Sequence, residues 1–131
     1  MAVTLHESGE NYLEAILILE QARGGGAVRS IDVAARLEVS KPSVSRAVSI
    51  LKASGYLSTP EDGALVLTET GRAAASRIYE RHRVLTDLLL TLGVSQAQAA
   101  ADACLIEHDL SDESFQRIKE HMEKMKQHGT N

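Results

Sequence analysis

Between Ser30 and Gly55 the chain sets two short helical patterns almost end to end, and that spacing leaves few folds open. The first pattern is predicted to start at Ser30 as N-cap and run through Ile31, Val33, Ala34 and Leu37. The second runs from about Pro42 to Ser54 and stops at Gly55. Two short helices crossing through a tight turn need a small residue inside the first, an apolar plug at the turn and a polar front on the second. Ala34 or Ala35 permits the close approach, Val39 plugs the turn, and Val44, Val48 and Leu51 face inward at helical spacing. Ser43, Arg46 and Ser49 then point outward, while Ser40 and Lys41 stand at a helix N-terminus, where backbone N–H groups favour a phosphate. The candidate DNA-reading set is Ser40, Lys41, Pro42, Ser43, Ser45 and Arg46. For the two helices alone, a plain surface helical hairpin is the competing reading.

The flanking sequence narrows the choice. An apolar-periodic helix is expected from about His6 to Arg23, ended by Gly24-Gly25-Gly26. After Gly55, the runs Gly55–Thr59 and Ala64–Leu67 read as short strands around the turn Pro60-Glu61-Asp62-Gly63, a wing. Thr68 caps a long helix through Ala73, Ile78, His82, Leu85 and Leu89 to Leu92, stopped by Gly93. Ser95 opens another helix with capping-box spacing to Gln98, and Ser111 opens the last, from about Asp112 to Gln127, with His128 to Asn131 frayed. The predicted architecture is mainly α with a small β-hairpin wing: a winged helix-turn-helix over residues 1–71 and a helical metal-binding and dimerisation domain over residues 72–131. The order helix, helix, helix, wing, helix is far harder to match by chance than the pair alone and points to double-stranded DNA. The stretch Ile31–Val48 has no aromatic residue for base stacking, which disfavours single strands.

Net charge is −4, yet five basic and two acidic residues fall between Ala27 and Thr59, against nine and sixteen elsewhere. One segment can therefore face phosphate while the acidic remainder attracts cations. No apolar run approaches the roughly 20 residues of a membrane span, and the first ten residues are acidic where a signal peptide is basic. A cytoplasmic location with no membrane partner is expected. The single cysteine, Cys104, forms no internal disulfide and is a buried apolar residue, a reactive thiol or a ligand.

Its neighbours bear on that choice. Cys104, Glu107 and His108 stand at i, i+3 and i+4, so one helix face carries a thiol, a carboxylate and an imidazole. That mixture suits a first-row transition metal better than calcium or magnesium. A solvated helix face with a core cysteine would give the same triplet. Asn11 and Glu14 share a face of the first helix, flanked by Tyr12, Leu13 and Ile16. His82 sits in the inward row Ile78, Leu85, Leu89, where a satisfied core histidine is the plainer reading. Burying Glu14, Glu107, His82 and His108 together without a cation is costly.

From about Glu10 to Ser111 the chain resembles the diphtheria-toxin-repressor and manganese-transport-regulator family. The matching phrases are Asn11-Tyr12-Leu13-Glu14-Ala15-Ile16, Val39-Ser40-Lys41-Pro42-Ser43-Val44-Ser45, Leu67-Thr68-Glu69-Thr70-Gly71, Arg81-His82-Arg83-Val84-Leu85 and Ala103-Cys104-Leu105-Ile106-Glu107-His108-Asp109-Leu110-Ser111. The resemblance implies a homodimeric repressor that binds operator DNA when a divalent metal is present. It implies Glu107 and His108 as ligands in both branches, Glu14 and His82 as ligands of the manganese branch, and Cys104 as a ligand position of the iron branch. Asn11 departs from both branches, which have Asp or Met there. Cys104 stands where the manganese branch has Glu. Thr86 and Ala100 stand at two ligand positions of the iron branch's ancillary site, and no match to the C-terminal SH3-like domain common in that branch is expected in this sequence.

The expected metal set is Asn11, Glu14, His82, Cys104, Glu107 and His108, with Fe2+ as corepressor and Mn2+ as the alternative. The rival function is a winged-helix regulator with a pocket for an organic effector. A small metalloenzyme using Glu14 or Glu107 as base is disfavoured, because the chain has no His-Glu-x-x-His phrase, Gly-rich phosphate loop or oriented nucleophile. The expected role is regulatory rather than enzymatic.

Overall fold

The computed structural model describes residues 7–60 and 62–129. His6, Glu61, the last two residues and the side chain of His128, all named in the expectations above, lie outside the described residues. Six helices and a two-stranded antiparallel hairpin follow in the order α1 (Glu7–Ala22), α2 (Ser30–Leu37), α3 (Lys41–Ala53), β1 (Leu57–Ser58), β2 (Val66–Leu67), α4 (Glu69–Thr91), α5 (Gln96–Ile106) and α6 (Asp112–Gly129). The chain divides into two compact units, Met1–Arg77 and Ile78–Asn131, and α4 runs from one into the other.

In the first unit α1 packs against α2, α3 and β2. Leu13, Ile16, Val28, Val33, Val44 and Leu51 form a core with almost no exposure. Two ion pairs strap α1 to the beginning of α4: Arg72 grips both carboxylate oxygens of Glu20 at 2.7 and 3.1 Å, and Arg77 reaches Glu10 at 3.3 Å. Between α2 and α3 the chain reverses at Glu38, whose φ of 56° is left-handed, and the N–H of Val39 returns to the Ala34 carbonyl at 3.1 Å. That reversal turns Val39 outward, so the valine expected to plug the turn is 37% exposed. The corner is filled by Val33, Ala34 and Val44 instead. Val48 is half-buried, and Ala34 rather than Ala35 is the small buried residue.

The caps are mostly where short-range chemistry puts them. Ser40 Oγ accepts from the Ser43 N–H, Thr68 Oγ1 from Gly71, Ser95 Oγ from Gln98 and Ser111 Oγ from Ser114. Two details differ. Arg29, not Ser30, is the N-cap of α2, and its N–H donates to Asp32 Oδ2 at 2.9 Å. Arg23 donates to the same carboxylate at 2.8 Å, and these two partners, Arg23 first, hold Asp32 well below the usual carboxylate range, at about 2. At α5 the Gln98 side chain does not close a capping box but donates to Asp102.

The hairpin is shorter than expected, with Leu57 opposite Leu67 and Ser58 opposite Val66. Pairing resumes beyond it, where the Leu65 N–H donates to the Val28 carbonyl at 2.7 Å and ties the wing to the segment before α2. Arg29 adds a bond from its guanidinium to the Asp62 carbonyl at the wing tip. The Leu-Thr-x-x-Gly phrase has a steric meaning here. A Cβ on Gly71 would collide with the Tyr56 carbonyl, which itself accepts from the Thr68 N–H at 3.1 Å.

In the second unit Ile78, Leu85, Ala99, Ala103, Phe115 and Met122 are buried. Lys119–Glu80 and Lys126–Asp87 pairs link α6 to α4 along their exposed edges. Ala99 and Ala103 have no exposure within this single chain, whereas Ala97 and Ala101 on the same helix are exposed. The large apolar side chains left outside, among the described residues of this unit, are Leu90, Leu92, Leu105, Ile106 and Met125. No helix among the described residues is long and apolar enough to cross a membrane.

Replacing Gly71 by Ala forces a methyl into a backbone carbonyl. Overpacking of this kind costs about 1–3 kcal/mol, so Gly71→Ala is expected to lower the Tm by roughly 5–15 °C in a calorimetric scan. An unchanged Tm would show that α4 can shift at no cost.

Candidate metal centre and nucleic-acid interface

The second unit places its donors at the end of α5. The last helical residue is Ile106, but Glu107 keeps helical dihedrals (φ −59°, ψ −27°) and its N–H still bonds to the Ala103 carbonyl at 3.0 Å. The i, i+3, i+4 face therefore persists one residue past the helix. Donor atoms of Cys104, Glu107 and His108 all lie within 4.8 Å of one another. Two ligands at roughly 2.0–2.3 Å from an ion stand at most about 4.6 Å apart, so convergence needs only a small rotamer adjustment.

Glu107 is fully buried, with 0% exposure. Its Oε2 meets His82 Nδ1 of α4 at 3.0 Å. Its Oε1 finds no hydrogen-bond partner among the described residues, and His108 Nε2 stands 3.5 Å away, outside hydrogen-bond geometry. The His108 side chain is only 2% exposed, and Cys104 and His82 are half-buried. A buried carboxylate with an unsatisfied oxygen between two imidazoles and a thiol meets the requirements of a divalent cation: anionic charge, mixed O, N and S donors, and little water. The residues present thus fit a transition metal.

Asn11 and Glu14 lie on α1 in the first unit, Asn11 half-buried and Glu14 buried. Among the sequence-derived donors, the structure of the second unit brings together Cys104, Glu107, His108 and His82.

Sequence reasoning missed Arg81. It lies on the inward row between Ile78 and Leu85, and a charge on an apolar row was the available signal. It is 3% exposed, and its guanidinium donates to the carbonyls of Glu107 (3.0 Å) and Leu110 (2.6 Å) and to the Asp112 carboxylate, over the ring of Phe115.

In the first unit, α3 presents Lys41, Pro42, Ser45 and Arg46 to solvent. Ser43 is half-buried, its hydroxyl 2.8 Å from that of Ser40, with Arg46 Nη2 at 3.5 Å. The cap thus organises the polar front of the helix, and the apolar Ile50, 62% exposed, follows on the same face.

Residues 4–65 match the family described as iron dependent repressor, N-terminal DNA binding domain, and residues 68–130 match iron dependent repressor, metal binding and dimerisation domain. The chain belongs to the iron-dependent repressor family. The transcriptional regulator MntR of Salmonella typhimurium is 35% identical over 123 residues, 92% of this chain and 74% of that protein. An HTH-type transcriptional regulator of Methanocaldococcus jannaschii is 30% identical over 123 residues, 93% of this chain and 98% of that one. The iron-dependent repressor IdeR of Mycobacterium bovis is 36% identical over 115 residues, 87% of this chain but 49% of that protein.

Among solved structures, the manganese regulator SloR superposes with a TM-score of 0.79 at 24% identity, which speaks for the fold, over 92% of this chain and 55% of that one. A manganese-dependent transcriptional repressor in complex with manganese gives 0.76 at 29% identity, over 86% and 51%. The chain spans about half the length of those two structures. The first unit is accordingly a winged-helix DNA-binding fold, and the family's members are transcriptional regulators rather than enzymes.

The exposed front of α3 yields a prediction. Arg46→Ala is expected to cost about 1–3 kcal/mol in binding a duplex selected by the metal-loaded protein. Ser43→Ala acts in the same direction, and neither variant alters metal uptake. Retention of full sequence discrimination by both variants, measured by fluorescence anisotropy, would show that α3 does not read the bases.

Proposed function

We propose that the chain is a metal-dependent repressor that works in the cytoplasm as a homodimer on double-stranded operator DNA, with a divalent transition metal as corepressor. The observation that carries this reading is the fully buried Glu107, held between two imidazoles beside a thiol, on a chain that also carries an exposed polar reading helix. Residues 1–71 are assigned to DNA binding and residues 72–131 to metal binding and dimerisation. The proposed DNA contacts are Ser40, Lys41, Pro42, Ser43, Ser45 and Arg46. The proposed ligand set is His82, Cys104, Glu107 and His108, to which the family resemblance adds Glu14 and Asn11 of α1.

A bound cation supplies positive charge where the chain has buried a carboxylate. With Glu14 among the ligands, α1 is held in place, and α1 is the helix on which α2 and α3 pack. Fixing it lowers the entropy cost of presenting two reading heads at half-site spacing. The exposed Leu90, Leu92, Leu105 and Ile106 are the surface proposed for the two-fold contact.

The deciding experiment measures binding to duplexes selected from a random pool, with metal and with chelator. Metal is expected to strengthen binding, and Glu107→Ala or His108→Ala to abolish that response while the metal-free fold survives. Affinity indifferent to chelation would favour an organic effector instead.

Iron is proposed over manganese because a Cys104 thiolate is softer than a carboxylate and manganese(II) lies lowest in the divalent affinity order. Cys104→Glu is then expected to shift activation from iron(II) toward manganese(II) in anaerobic titrations, where the thiol cannot oxidise. Equal iron(II) affinity of Cys104→Ala and wild type would remove the sulfur from the ligand set.

A further inference from the structure

Arg81 is buried, charged and not a metal ligand, so its presence one residue before His82 demands a reason. Its guanidinium gathers the Glu107 and Leu110 carbonyls and the Asp112 carboxylate, and its Nε, also buried, has no hydrogen-bond partner among the described residues. Those three acceptors bracket the junction from α5 to α6. The Glu107 carbonyl lies at the C-terminus of α5, where the backbone carries partial negative charge and lacks partners, and the Leu110 carbonyl lies in the turn before α6. The fork of Arg is planar and can hold several acceptors in fixed directions, which a lysine ammonium does not do.

The bond to the Glu107 carbonyl fixes the backbone of the residue whose carboxylate stands against His82, and the bond to Leu110 fixes the far side of the turn that carries His108. Asp112 offers its carboxylate from an 87% exposed side chain, while Arg81 is 3% exposed, so the guanidinium is drawn inward to the junction.

We infer that Arg81 is a positioning residue for the metal centre: it sets Glu107 and His108 in their binding geometry before any ion arrives, and so contributes to affinity and coordination geometry without touching the ion. This rests on the metal-centre reading above. Groups that orient ligands in this way typically change metal affinity about 10–100-fold when altered.

The test uses the full chain, prepared metal-free, with cobalt(II) as an anaerobic spectroscopic probe. Arg81→Lys keeps the charge and loses the fork. It is expected to remain folded by circular dichroism, to bind cobalt about 10–100-fold more weakly against a competing chelator, and to show an altered visible d–d band. Without metal, its Glu107 to Leu110 amides should exchange hydrogen faster than in wild type. An arginine that merely stabilises the fold would lower the Tm yet leave the cobalt affinity and band of the folded protein unchanged, and that result overturns the inference. Should Arg81→Lys fail to fold, Asp112→Ala removes one acceptor of the clamp at an exposed side chain. It must move the affinity and band in the same direction, and no change there also overturns the inference. Cobalt uptake by wild type and its loss in Glu107→Ala test the metal centre itself, whereas the metal-free exchange data read the clamp independently.

Discussion

A carboxylate with no solvent exposure is a standing demand for positive charge, and in the second unit Glu107 makes that demand at the end of α5. Burying an ionised group costs several kcal/mol unless hydrogen bonds and opposite charge replace its water. His82 supplies one bond at 3.0 Å, His108 lies 3.5 Å from the other oxygen, and Arg81 serves the residue's backbone rather than its carboxylate. The guanidinium thus holds the residue without neutralising the side chain proposed as a ligand. A helix end built this way is pre-organised for a cation and incompletely satisfied without one, which is the condition under which an ion can bias an equilibrium.

The reading head solves a different electrostatic problem. Its positive segment, Ala27 to Thr59, sits in an acidic chain, and part of that charge is engaged internally. Arg29 is tied to Asp62 at the wing tip, and Asp32 holds both Arg23 and the Arg29 backbone. Those bonds brace the loop before α2 and the wing rather than reach outward. Lys41 and Arg46 remain exposed on α3, at and near its N-terminus, where the helix dipole adds to their charge. The exposed Asp62 makes its end of the hairpin poorly suited to a phosphate, in keeping with the proposal that α3 carries the DNA contacts.

Local chemistry was legible. Thr68, Ser95 and Ser111 cap the helices they were expected to cap, because a cap depends on three or four consecutive residues. The Cys104, Glu107, His108 face was legible for the same reason. What depended on distant partners was not. Val39 turned outward because Glu38 adopts a left-handed φ, a conformation more usual for Gly or Asn. The Val28 to Leu65 pairing joins residues far apart in sequence, and Arg81 finds its acceptors 26 to 31 positions away. The role of Gly71 was hidden in a phrase whose reason, a carbonyl of Tyr56 against its Cα, needs three dimensions.

Alanine explains how the carboxylate comes to be so deep. Ala99, Ala103 and Glu107 stand at i, i+4 and i+8, along one face of α5, and all three have no exposure. A side chain of one carbon lets a helix sink close to its neighbours. The next residue in that row is then carried to the same depth whatever its polarity. With leucine at 99 and 103, α5 would stand farther out and Glu107 would reach solvent, cheaply hydrated and no longer short of charge. The low aromatic and high alanine content of the chain therefore bears on the proposed metal centre: small residues in one row set the burial of the carboxylate at its end, and a buried carboxylate favours a neighbouring cation.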